Sequence, residues 1–223
     1  GAAPSGGLDH LSRQTLPSGP ARPTVRVYAK RAMDIAVSLL ALTATFPVIL
    51  VAVALVRLSS TGPGIFRQLR GGLHGRPFRI LKIRTMTTGA DSQRGLLRYQ
   101  EQDFKPAFKI KEDPRLTAIG RYLRRWSVDE LPQLLNVLKG DMSLVGPRPH
   151  PFDDVECYRD SDYQRFAVKP GITGLSQIRG RSSLSWEESV SLDLDYIENW
   201  SLTRDLVILA KTVKVVVSGA GSY

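Results

Sequence analysis

From Ile35 to Val56 the chain reads IAVSLLALTATFPVILVAVALV, 22 apolar or hydroxyl-bearing positions without a charge. Such a run lacks both the alternation of a half-buried strand and the polar stripe of a surface helix. As a straight helix it would reach about 33 Å, enough to cross a hydrocarbon core of about 30 Å. The alternative is a buried core helix, but core helices seldom stay charge-free for so long. A secretory signal peptide is disfavoured, because the run starts far into the chain and ends without a small-residue cleavage site. Pro47 offers no N–H to the carbonyl of Thr43 and its ring crowds that turn, which predicts a kink.

Beyond this run the pattern changes. IFRQLR and RPFRILKIRTM flank Gly71-Gly72 and His74-Gly75, which predicts a β-hairpin. Residues 89–113 are polar and read as a short helix and loop. Helical spacing returns in LTAIGRYLRRW and ELPQLLNVL, then in residues 153–167, read as a surface helix, and in SWEESVSLDLDYIENW. GPRPHP and KPGITG read as turns, the latter with Gly171 and Gly174 free to adopt positive φ. LTRDLVILAKTVKVVV is a last apolar helix. Its Lys211 and Lys214 suit a core or membrane-surface position better than a span. The predicted fold is α+β: a mainly helical, membrane-associated domain with a re-entrant membrane helix, a small β-hairpin and surface amphipathic helices. Its parts are a Gly/Pro/Ser-rich flexible linker (1–24), the membrane helix (25–58) and a cytoplasmic domain (59–223).

Charge sharpens the membrane reading. The 223 residues carry a net charge of +10, and residues 22–84 hold all of it, with eleven Lys/Arg against Asp34 alone. Clustered cations also suit nucleic acid, but a DNA-binding module has no use for the long apolar run in their midst. Arg22, Arg26, Lys30 and Arg31 precede that run; Arg57, Arg67, Arg70 and Arg76 follow it. Equal flanks give no preference for a through-membrane pass, and they suit a hairpin whose two ends return to one anionic face. The single Cys157 excludes an internal disulfide framework, and His10, His74 and His150 are too scattered for a histidine metal site.

The densest chemistry lies in RRWSVDELPQLLNVLKGDMSLVGPRP, residues 124–149. Pro132 is tolerated only in a first turn, so a helix is expected to start near Ser127–Asp129, placing Asp129 and Glu130 at its positive end. Adjacent carboxylates on a helix diverge by about 100° and can divide tasks, one attacking phosphorus and the other holding a magnesium ion. Taken alone, Ser127-x-x-Glu130 is equally a capping box. Arg124, Arg125 and Arg148 nearby in sequence, with Lys82 and Arg84 from LKIRTM, could clamp a diphosphate. Neither a GxGxxG or Walker glycine fingerprint nor a serine nucleophile elbow is present.

Together, KRAMDI, LKIRTM, DPRLTAIGRYLRRWSVDELPQLLNVLKGDMSLVGPRP, KPGITGLSQIRGR and DYIENWSLTRDL make the chain, from about Lys30 onwards, resemble the bacterial sugar transferases. These are monotopic phosphoglycosyl transferases that make polyprenol-diphosphate-linked sugars. The resemblance extends to the catalytic part of their larger members. It implies a two-step transfer in which Asp129 attacks a UDP-sugar, UMP leaves, and polyprenol phosphate collects the sugar 1-phosphate. Glu130 then matches the metal-associated carboxylate, with Mg²⁺ as cofactor and Asp129 beside it. Lys82, Arg84, Arg124 and Arg148 fall in the polar pocket, and Gln177, Arg181 and Asp193 are further substrate or metal contacts by the same alignment. The resemblance also implies a re-entrant helix bent at Pro47, where this chain has Phe46-Pro47 in place of the family's frequent Ser-Pro. The expected setting is the cytoplasmic face of a bacterial inner membrane, with 59–223 as the cytoplasmic catalytic domain, in surface-polysaccharide or glycoconjugate synthesis. The partners are a UDP-sugar, polyprenol phosphate and inner-membrane lipid, with no nucleic acid and a homodimer left open. The C-terminal sequence and the segment before DPRL lean towards a hexose 1-phosphate.

Overall fold

The computed structural model describes residues 24–218, except 91, 94, 96, 98, 100–105, 107–109, 111, 112, 181 and 182. The expected linker, but for Thr24, and most of the polar 89–113 segment lie outside the described residues.

The uncharged run forms the heart of helix α1, Val25–Ser59, with Pro47 inside it. Only 11% of its most apolar 18-residue window is buried against the rest of the chain, so it is not a core helix. Near the proline, the Thr43 hydroxyl donates to Leu39 O at 2.9 Å and the Thr45 hydroxyl to Ala41 O at 2.7 Å. Back-bonding of this kind bends helices and adds to the missing proline N–H.

Both ends of α1 are fastened to the same body. At the N-terminal arm, Lys30 Nζ meets Asp205 Oδ2 at 2.7 Å and Val145 O at 3.2 Å. Arg31 donates to the carbonyls of Val137 and Leu138 at 2.6 and 2.8 Å. The buried Asp34 carboxylate accepts Leu144 N–H at 3.1 Å, so the one acid of the basic stretch is satisfied. At the C-terminal arm, Ala52 and Val56 pack with Ile83, flanked by Ile65, Ile119, Leu123 and Val128. Between the arms, Leu39, Leu40, Phe46, Val48, Leu50 and Val51 are exposed.

The predicted hairpin is present as β1 (Ile65–Gly71) and β2 (Pro77–Ile83), paired antiparallel from Ile65↔Ile83 to Gly71↔Pro77. Helix α2 (Ala118–Arg125) and helix α3 (Gln133–Lys139) follow. Asn136 of α3 stands in for a third strand at the free edge of β2: Oδ1 accepts Leu81 N–H at 3.0 Å and Nδ2 donates to Arg79 O at 2.8 Å. KPGITG departs from the expected turn. Gly171–Thr173 is strand β4, paired parallel with β3, Ser143–Val145. Neither Gly171 nor Gly174 has positive φ. Glycine is needed there because a Cβ on Gly171 would collide with the amide of Gly146.

Residues 153–167 are likewise not a surface helix. They form α4 (Phe152–Val155) and a 3-10 segment, Asp160–Ala167. Phe152, Val155, Tyr158, Tyr163 and Phe166 join Trp186 and Val190 in a compact aromatic core. Stacked and edge-on rings there supply the apolar burial that a surface helix would lack. A short helix α5 (Leu175–Arg179) leads to α6 (Trp186–Glu198), which Ser185 and Glu188 cap reciprocally. Last comes α7 (Leu202–Ser218), with Ile208 in the core and Leu206, Val207 and Val213 exposed. The larger core gathers Phe78, Ile80, Leu134, Val137, Met142, Leu144, Val145, Leu175, Tyr196 and Ile208.

Candidate active site

Asp129 and Glu130 sit on a 3-10 turn, Val128–Glu130, just ahead of α3. The expected α-helical start is tightened because Pro132 has no N–H to return to Val128 O; Leu131 N–H takes that carbonyl instead, at 3.3 Å. Ser127 precedes the turn with φ 53° and ψ 23°, a left-handed conformation uncommon outside glycine, and its side chain caps nothing. The capping-box alternative therefore fails: Ser127 is turned out of position, and Glu130 is engaged elsewhere.

Glu130 Oε1 is held by two cations, Lys82 Nζ at 2.8 Å from β2 and Arg148 Nη2 at 2.7 Å from the Pro-Arg-Pro turn. Burial alone would raise the Glu130 carboxyl, but Arg148 and Lys82 outweigh it and hold it below its ordinary range. Burial draws the Lys82 ammonium down, with Glu130 opposing. Asp129 is different. It is 6% exposed, and its side chain accepts no hydrogen bond among the described residues. Burial pushes its carboxyl up to about 6 against the pull of Lys82, and the charge of Glu130 adds to the rise. Arg124 donates from Nε to Thr85 Oγ1 at 3.0 Å and lies within electrostatic reach of both carboxylates.

The Pro147-Arg148-Pro149 turn cannot be held by proline N–H groups, so it is held by its carbonyls. Pro147 O accepts Gly171 N–H at 2.9 Å and Arg148 O accepts Arg165 Nη2 at 3.0 Å. Pro149 O accepts Arg70 Nη1 at 3.1 Å, and His150 O accepts Gly71 N–H at 3.4 Å.

The structure thus brings together Lys82, Arg124, Asp129, Glu130 and Arg148. It takes Arg84 elsewhere: its guanidinium binds the carbonyls of Thr61 and Ser60, the latter at 2.8 Å, and closes the C-terminal end of α1. Asp193 is buried, and its Oδ2 pairs with Arg165 at 2.6 Å. Gln177 Oε1 accepts from the Ser176 hydroxyl at 2.9 Å, while its buried Nε2 has no partner among the described residues. Arg181 lies outside the described residues. Sequence reasoning missed Arg165, Asn136 and Thr85; the one available signal was Asn136, a lone amide inside the apolar run LLNVL.

Two carboxylates suit a magnesium ion, which uses one or two of them and takes its remaining oxygens from substrate phosphates and water. Among the described residues no group of three His, Cys, Asp or Glu could form an all-protein cage. The donor set fits a site that the substrate itself completes.

The model of the family described as bacterial sugar transferase matches residues 25–219, nearly the whole of the described chain and this entire site. The chain belongs to that family. It is 46% identical over 192 residues to an uncharacterized sugar transferase, EpsL, of Bacillus subtilis, covering 86% of this chain and 89% of the relative. It is 43% identical over 224 residues to a Caulobacter vibrioides protein named UDP-glucose:undecaprenyl-phosphate glucose-1-phosphate transferase, covering 95% of this chain and 79% of that one. It is also 43% identical over 202 residues to the undecaprenyl-phosphate galactose phosphotransferase of Salmonella typhimurium, covering 88% of this chain but 42% of the larger relative. The family members thus range from proteins of about this length to ones more than twice as long.

Proposed function

We propose that the protein transfers a sugar 1-phosphate, a hexose 1-phosphate by the names of its relatives, from a UDP-sugar to a polyprenol phosphate. The observation that carries this reading is the contrast within the dyad. Asp129 is buried, free of hydrogen bonds among the described residues and raised in pKa, whereas Glu130 is pinned by Lys82 and Arg148. A carboxylate without hydrogen bonds keeps its lone pairs for attack, and a pKa near 6 leaves it about ten parts ionised to one at pH 7.

An Asp129 oxygen attacks the sugar-proximal phosphorus, and the bond from that phosphorus to the bridging oxygen breaks. UMP carries away the electron pair, leaving a sugar-phosphoryl-aspartate. A phosphate oxygen of the polyprenol phosphate then attacks the same phosphorus. The acyl-phosphate bond breaks, and Asp129 is restored as polyprenol-diphosphate-sugar departs. Lys82, Arg124 and Arg148 neutralise the phosphate oxygens around this centre. A magnesium ion held by Glu130, with Asp129 beside it, would supply further charge stabilisation there. Gln177, whose amide nitrogen has no partner among the described residues, is a candidate contact to the nucleotide or sugar.

The membrane setting is supported by the two arms of α1. A straight helix would hold Arg31 and Val56 about 38 Å apart. Yet Arg31 is fastened to the carbonyls of Val137 and Leu138 in α3, and Val56 packs in the cluster of Ile83 and Val128, the turn just ahead of that same helix. A helix that returns on itself near Pro47, with its exposed apolar apex in lipid, accounts for both attachments. The catalytic domain then stands on the cytoplasmic face of the inner membrane.

The test is UMP release from a panel of UDP-sugars by the detergent-solubilised chain, with and without polyprenol phosphate and Mg²⁺. The expected outcome is about one UMP per enzyme with UDP-sugar alone, continuous turnover on adding polyprenol phosphate, and loss of both in Asp129→Asn. Full activity in that variant would overturn the nucleophile assignment.

A further inference from the structure

The reading above gives Arg148 a role but does not explain what keeps a residue between two prolines aimed at Glu130. We infer that Arg165, paired with Asp193, is a positioning residue that holds the main chain of Arg148 so that its guanidinium meets Glu130. This rests on the proposed role of the Arg148–Glu130 pair.

Arg165 and Asp193 are both buried, at 5% and 2% exposure. Arg165 Nε and Nη2 both donate to Asp193 Oδ2, at 2.9 and 2.6 Å, and Nη1 donates to the Tyr158 hydroxyl at 2.7 Å. The guanidinium also lies over the Trp186 and Tyr158 rings, 5.3 and 5.7 Å from their centroids. Three neighbours, Asp193, Tyr158 and Trp186, therefore fix its plane. One contact leaves this cage: Nη2 to Arg148 O at 3.0 Å.

A buried ion pair is a poor source of stability, because well-packed apolar residues of the same volume do as well or better. Its presence here calls for another output, and the Arg148 carbonyl is the output available. Of the four carbonyls from Pro147 to His150, this one belongs to the residue whose side chain reaches the dyad. Backbone amides hold Pro147 O and His150 O, and Arg70 holds Pro149 O; a charged donor with a fixed plane holds the point where the Arg148 side chain departs. Asp193 reaches further back, since the Ser176 hydroxyl lies 3.3 Å from its Oδ1 and 2.9 Å from Gln177 Oε1. The pair thus ties the turn bearing Arg148 to the helix bearing Gln177.

Removing either partner alone leaves a buried charge and invites unfolding, so the test replaces both: Arg165→Met with Asp193→Leu. Melting temperature checks that the aromatic core survives. Amide exchange at Gly171 and Gly71, whose N–H groups bond Pro147 O and His150 O, is expected to speed up at least tenfold, while amides of α6 stay protected. In the UMP-release assay kcat/KM is expected to fall at least tenfold. In an Arg148→Ala background the same pair of replacements is expected to change it less than twofold, because the brace acts only through Arg148. Unchanged exchange at Gly171 and Gly71, or losses that multiply in the Arg148→Ala background, would overturn the inference. If the unaltered protein released no UMP from any UDP-sugar, the proposed function would fall, and the exchange measurement would still decide the brace.

Discussion

Asp129 carries its chemistry in what surrounds it rather than in what touches it. The folded protein holds the Asp129 proton more tightly than an unfolded chain does, since burial lifts the carboxyl from about 4 to about 6. The stabilising contribution of that proton is complete below about pH 4 and is lost as pH rises through 6. On the proposed mechanism, the carboxylate becomes competent to attack over the same interval in which it becomes costly to keep. Two outcomes are expected. First, kcat/KM for the UDP-sugar should fall on the acid side with an apparent pKa near 6. Second, Asp129→Asn, which cannot ionise, should be more stable than the native protein at pH 8 by up to about 3 kcal/mol. That gap should close towards pH 4. Chemical denaturation at the two pH values measures it, and equal stabilities at pH 8 would contradict the raised pKa.

Among the elements, α2 has to sit close to the end of β2 for Arg124 to reach Thr85 and face the dyad. Gly120 makes this possible, because a Cβ there would collide with the backbone carbonyl of Thr85. In an open helix position, replacing glycine by alanine stabilises by about 1 kcal/mol. At Gly120 the sign should reverse: Gly120→Ala is expected to cost about 1–3 kcal/mol and to lower kcat/KM by displacing Arg124. Gly95→Ala, at a helical position with open space, is the control and should show the ordinary sign. A stabilised, fully active Gly120→Ala would refute the close packing. The same close contacts explain what the sequence could and could not reveal. The hairpin, α2, α3, α6 and α7 were legible because their apolar periods are regular. The β3–β4 pair was not, since three-residue strands give no period and GPRP and KPGITG carry the marks of turns. The gathering of Asp129, Glu130, Lys82, Arg124 and Arg148 was legible from sequence because charges crowd one motif and its neighbours. Arg84 and Asp193 share that crowding, yet one binds the carbonyls ending α1 and the other sits under Arg165. Residue type cannot distinguish a cation facing a phosphate from one facing a carbonyl.

For the whole molecule, the basic stretch and the apolar helix form one device. Most of the +10 charge brackets α1 in the sequence, but the structure divides the labour of those cations. Lys30 and Arg31 turn inward to Asp205 and to the end of α3, and Arg84 turns inward to the end of α1. Arg26, Arg57 and Arg67 remain exposed. The inward cations fix both arms to one body, and the outward ones are left to meet anionic headgroups on a single side. On the proposed re-entrant reading, the charge-assisted bonds at one end of α1 and the Val56–Ile83 packing at the other keep both arms on one side of the bilayer. The arrangement is tested with Cys157→Ser as background and single cysteines introduced by Arg26→Cys or Arg67→Cys. A membrane-impermeant maleimide should label both from inside-out vesicles and neither from intact spheroplasts. Labelling of Arg26→Cys from the spheroplast exterior would show that α1 spans the membrane, and the two-armed attachment would then have to be abandoned.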